Sequence, residues 1–106
     1  MFISKIRAAA GQLGAVVVFA RSSEAALSEM RQAAPALVIV DLNSARTDPL
    51  GLVAAMKREP ALAAIPTLGF VSHVQTELIE QARQAGVGEV MARSAFTMRL
   101  GEILSR

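Results

Sequence analysis

The sequence predicts an α/β fold, a parallel sheet of four strands with five helices spread over both faces. Three observations predict it. Apolar runs of strand length alternate strictly with stretches whose apolar residues recur every three or four positions. The connections are long enough to bring the chain back to the same end of the sheet, which parallel strands require. Ala36-Leu37-Val38-Ile39-Val40 runs without polar alternation and ends on Asp41, the pattern of a strand buried on both faces.

Taken in order, Phe2, Ile3, Ile6, Ala9, Ala10 and Leu13 form one apolar stripe and predict a helix over 2–13, stopped by Gly14. Ala15-Val16-Val17-Val18-Phe19-Ala20 is a β-branched run and predicts the first strand. Ser22 or Ser23 caps the next helix, Glu24 complements its dipole, and Ala26, Leu27, Met30 and Ala33 make its inner face. It ends before Pro35, and the strand over about 36–41 follows. A polar turn, Asn43-Ser44-Ala45-Arg46-Thr47, leads to Asp48-Pro49, an N-cap followed by a proline suited to the first helical position. Leu52, Val53 and Met56 are the buried face of that helix, which Pro60 ends. Thr67–Val71 is the next strand, and Gly69 within it marks a close approach. A helix from about Val74 to Ala85 buries Leu78, Ile79, Ala82 and Ala85 and closes at Gly86. Glu89–Ala92 is the last strand, and Ser94 caps a final helix over 95–105 built on Phe96, Leu100, Ile103 and Leu104.

Composition narrows the function. The 106 residues make one domain, 1–106, and 53% of them are hydrophobic, enough for a core and for a buried partner surface. No apolar run is long enough for a transmembrane helix, and the amphipathic start lacks a signal peptide's apolar block. There is no cysteine, so disulfides and thiolate metal sites are excluded and a cytoplasmic location is expected. The net charge is only +2, the arginines are scattered, and Tyr and Trp are absent, which argues against nucleic acid as a partner. Neither G-x-G-x-x-G nor a Walker pattern is present, so no phosphate loop is predicted.

From about Phe19 to Leu104 the chain resembles the receiver domain of two-component response regulators, a CheY-like, flavodoxin-like fold. Pro35–Leu42 resembles the strand that ends in the phospho-accepting aspartate, here Asp41. Asp48-Pro49-Leu50-Gly51-Leu52 resembles the loop and helix that follow it. Ala64-Ile65-Pro66-Thr67 resembles the entry to the fourth strand, with Ser72 near that strand's hydroxyl position. Ala85–Phe96 resembles the fifth strand and the start of the last helix. The resemblance implies a signalling module of a phosphorelay, with Asp41 as phospho-acceptor, Ser72 and Arg93 in the phosphate pocket, and Mg²⁺ held by the aspartate and an acidic pair after the first strand. Such a module is not an enzyme beyond phospho-acceptance and self-dephosphorylation. Its partner is a histidine kinase or a downstream signalling protein.

The chain departs from that pattern at almost every part. Residue 1 already reads as the first helix, so the family's first strand and its acidic pair are missing, and nothing before Glu24 is acidic. No metal is expected, and Asp41 and Asn43 are the donors if there is one; Mg²⁺ needs near-octahedral oxygen ligands and becomes a cofactor only if the acidic pair exists upstream. Arg93 stands where the family has lysine, Ser94 where it has proline, and His73 where it prefers a small residue. The leading expectation is therefore a degenerate pseudo-receiver, N-terminally truncated relative to the family, that acts through protein contacts. A receiver phosphorylated on Asp41 and a flavodoxin-like small-ligand binder are the alternatives. Plainer roles also fit: a turn carboxylate for Asp41, a cap or turn hydroxyl for Ser72, a loop residue for His73, and an ion-pair partner of Asp41 for Arg93. Because the receiver's first strand is central, the strands at Val16–Phe19 and Leu37–Val40 should flank a gap. The two pair directly, or another chain covers their edges, or the native protein begins upstream. The interface candidates are Val17, Phe19, Leu37, Ile39 and Arg99, and the unpaired edges favour a homodimer or strand-swapped dimer.

Overall fold

A computed structural model describes residues 2–44, 47–72 and 75–106. In chain order these form α1 (Phe2–Leu13), α2 (Ser23–Gln32), β1 (Val38–Asp41), α3 (Pro49–Arg58), β2 (Thr67–Val71), α4 (Thr76–Ala85), β3 (Glu89–Ala92), α5 (Arg93–Met98) and α6 (Leu100–Leu104). The strands make one parallel sheet in the order β1-β2-β3, with Asp41 beside Phe70 and Val71 beside Ala92.

The sheet separates two apolar cores because side chains alternate across it. Val40, Leu42 and Val71 face one core with Met30 of α2, Val53 and Met56 of α3 and Ala82 of α4. Leu68 and Phe70 face the other, with Ile6 of α1, Phe96 of α5 and Leu100 and Ile103 of α6. Phe70 and Phe96 stack with ring centroids 4.9 Å apart. The local punctuation follows the residues. Gly14 (φ 70°) and Gly86 (φ 107°) turn the chain out of α1 and α4. The hydroxyl of Ser22 accepts from Ala25 N at 3.1 Å, and the carboxylate of Asp48 accepts from Gly51 N at 3.2 Å with Pro49 as the first helical residue. A side chain at Gly69 would place its Cβ 2.9 Å from a Leu42 methyl, which is the close approach expected there.

Five expectations are corrected. The described residues form three strands and six helices rather than four and five. Residues 15–20 lie in no ladder. Their burial still alternates: Ala15, Val17 and Phe19 are half-buried, while Val16 is 93% and Val18 63% exposed. Residues of strand type thus keep a strand's pleat, but a ladder also needs a neighbour at hydrogen-bonding distance, and a cavity lies between this segment and β1. The strand buried on both faces is β2, every residue of which is buried; in β1 only Val40 is. The predicted final helix is two helices. Arg99 (φ −99°, ψ 12°) interrupts it, just after Thr97 turns its hydroxyl onto the Arg93 carbonyl at 2.9 Å, a bond that bends helices. β3 runs straight into α5, so Ser94 sits inside the first turn instead of capping it.

Candidate functional site

Parallel strands align their carboxyl ends, and there the side chains of β1, β2 and β3 meet. Asp41 ends β1, and its Oδ1 accepts the backbone N–H of Asn43 at 3.0 Å, a turn closed by its own side chain. Arg93, the first residue after β3, brings a guanidinium nitrogen to 3.9 Å from Asp41 Oδ2. Its guanidinium also lies over the Phe70 ring, 5.7 Å from the centroid, so the aromatic stack helps aim it. Asp41 and Arg93 side chains are 39% and 43% exposed, so water screens the pair and it contributes about 0.2–1 kcal/mol.

Asn43 connects the remaining parts. Its Oδ1 accepts from Ser72 N at 2.7 Å and from the Ser72 hydroxyl at 3.2 Å, and its Nδ2 donates to Gln75 Oε1 at 2.7 Å. One amide thus ties the loop after β1 to the end of β2 and to the residue preceding α4. The fold therefore gathers Asp41, Asn43, Ser72 and Arg93, four of the polar residues singled out from the sequence. It adds Gln75, whose only sequence signal is its place just before α4. His73, Ala45 and Arg46 lie outside the described residues. Among the described residues no three His, Cys, Asp or Glu side chains come together as a metal-holding group. The carboxylate at this end, Asp41, already accepts an N–H on one oxygen and faces a cation with the other, which is a poor donor set for Mg²⁺.

The other candidates divide. Val17, Phe19, Leu37 and Ile39 are half-buried and line one cavity of about 590 Å³ beside β1. Arg7 lies over the Phe19 ring, 4.9 Å from its centroid, and anchors that wall to α1. Arg99 belongs elsewhere, bonding Glu102 at 2.7 Å and Glu89 at 3.4 Å on the outside of the last helices. Arg106 joins them at 2.7 Å from Glu102 and 2.9 Å from Glu89. These bonds, from Arg106 first and then Arg99, pull the Glu102 carboxyl down to about 2. Among the described residues no helix is long and apolar enough to cross a membrane.

No protein-family model and no curated protein matches the chain in sequence. Solved structures do match it in shape. A response regulator from Hahella chejuensis superposes with a TM-score of 0.85 at 22% identity, over 98% of this chain and 84% of that one. The receiver domain of NtrX from Brucella abortus gives 0.77 at 21%, over 95% and 84%. The phosphorylated cyanobacterial phytochrome response regulator RcpA gives 0.79 at 24%, over 96% and 79%. The chain has the receiver-domain fold.

Proposed function

We propose that the chain is a receiver-like module of two-component signalling that works through protein contacts and does not take a phosphoryl group on Asp41. The observation that carries this reading is the Asn43 amide. It holds the Ser72 hydroxyl and backbone N–H, groups that a phosphate oxygen would need as donors. Phosphoryl transfer is mainly a matter of placing positive charge around the group in flight. At this end Arg93 supplies the charge, but its partner is Asp41 itself, and the donor set suits a carboxylate–guanidinium pair better than Mg²⁺. The expected partner is a histidine kinase or a downstream signalling protein that reads the folded surface.

The test is incubation with acetyl phosphate and Mg²⁺, followed by intact mass, with amide spectra recorded on adding beryllofluoride. The reading predicts no phosphoryl adduct and no change at Asp41, Ser72 or Arg93. An adduct that Asp41→Asn abolishes would establish a phosphorylatable receiver instead, the state that RcpA is described as holding.

A further inference from the structure

α4 begins without the device that starts α2 and α3. There Ser22 and Asp48 turn their own side chains onto N–H groups of the first turn. Gln75 holds the same position before α4, and its side chain makes no bond to the helix. Its Oε1 accepts instead from Asn43 Nδ2 at 2.7 Å, from 32 positions away in the sequence. Asn43 is itself fixed on the sheet side. Its N–H donates to Asp41 Oδ1 at 3.0 Å, and its Oδ1 accepts from Ser72 N at 2.7 Å. The main-chain carbonyl of Gln75 accepts from Ile79 N at 2.9 Å, the first backbone bond of α4. One residue thus joins the opening of the helix to the carboxyl end of the sheet. Packing holds this turn only weakly. Thr76 and Glu77 are exposed, Leu78 and Ile79 are half-buried, and the buried Ala82 comes later in the helix.

We propose that Asn43 is a positioning residue for α4: its amide straps Gln75 to the sheet in place of an N-cap, so that the order of the first turn depends on the polar end of the sheet. A helix start with no side-chain cap frays, because its first N–H groups have no acceptor within the helix. Here the restraint comes from outside the helix. Whatever draws the Asn43 amide away loosens the first turn of α4, and whatever orders that turn favours the strap. The inference rests on the reading above in one respect, that Asn43 engages the residues at the end of β2 and the start of α4. It does not rest on the chemistry of Asp41.

The test is hydrogen exchange of individual amides, read by NMR on the full chain without acetyl phosphate or Mg²⁺. The Ile79 amide reports on the first turn of α4. The Val87 amide, which donates to Ala82 O at 3.0 Å just beyond the helix, is the control. Asn43→Ala and Gln75→Leu should each speed exchange at Ile79 about two- to tenfold, the worth of one hydrogen bond, and leave Val87 unchanged. The double variant should be no faster than either single variant, because both remove the same strap. Gln75→Glu keeps an acceptor for Asn43 Nδ2, and its Ile79 amide should stay as slow as in the parent. Unchanged exchange at Ile79 in the single variants would overturn the proposal. So would effects that multiply in the double variant, or equal acceleration at Val87, which would mean that Asn43 stabilises the whole fold. A phosphoryl adduct on Asp41 would overturn the reading above and leave the strap standing, so the two failures are distinct.

Discussion

Replacing Gly69 with alanine tests how tightly β1 is held against β2. The added Cβ would lie 2.9 Å from Leu42 Cδ1 and 3.0 Å from Leu42 Cγ, where carbon atoms settle at about 3.5–4.0 Å. Leu42 cannot simply swing away. It is 5% exposed, packs in the core with Leu52, Val53 and Val71, and its N–H donates to Phe70 O at 3.0 Å. Overpacking of this kind costs about 1–3 kcal/mol. Alanine restricts the unfolded chain more than glycine does, which returns about 0.4–1 kcal/mol. The net loss is about 1–2 kcal/mol, a fall in Tm of roughly 5–15 °C for a domain this size. Leu42→Ala alone leaves a cavity and costs about 2–5 kcal/mol. In the double variant the new methyl enters the space that Leu42 vacates, so urea unfolding should show the pair about 1–2 kcal/mol better than the sum of the single changes. A Gly69→Ala protein as stable as its parent would refute the reasoning, as would single effects that add within about 0.5 kcal/mol.

Asp48→Ala removes the carboxylate that caps α3 at Gly51 N and leaves a non-glycine residue at φ 39° without the local bond that favours it, so urea denaturation should show a loss of about 1–2 kcal/mol. Asp48→Asn should recover most of that loss. Arg93→Ala should change stability by less than about 1 kcal/mol, because its partner Asp41 is 3.9 Å away and both are exposed to water; a larger loss would mean that stacking on Phe70 matters more than charge. Glu102 makes stability depend on pH in a stated direction. Its folded carboxyl is held at about 2, below the ordinary 4.5, so its contribution is complete above 4.5 and disappears as pH falls toward 2. The difference in Tm between the parent and Glu102→Gln should shrink over that interval, and a difference that does not vary with pH would contradict the network.

Much of this fold is legible in the sequence because its punctuation is local. Thr67–Val71 and Glu89–Ala92 are strands with the predicted bounds, Asp48-Pro49 opens α3, and Gly14 and Gly86 close their helices. A ladder is not local. Val16-Val17-Val18-Phe19 encodes a pleat, and the structure shows the pleat with no ladder partner among the described residues. The gap between that segment and Leu37–Val40 follows from the receiver resemblance, and a cavity of about 590 Å³ lies there. The break at Arg99 turns on a hydroxyl bonding back to a carbonyl, which no periodicity displays. At the polar end, the meeting of Asp41 and Arg93 follows from parallel topology. The bridge through Asn43 does not, because it needs the loop after β1, the end of β2 and Gln75 to come within reach of one amide.

The open flank of β1 is the feature on which the fold departs most from a closed sheet. Amide hydrogen exchange along β1 in the free protein tests it directly. Val38 and Leu42 donate to β2, and Val40 lies on the same side of the strand, whereas Leu37, Ile39 and Asp41 face the cavity. The structure predicts alternation along one strand, with slow exchange at 38, 40 and 42 and fast exchange at 37, 39 and 41. Uniformly slow exchange from 37 to 42 would mean that β1 is paired on both edges, and it would contradict the account.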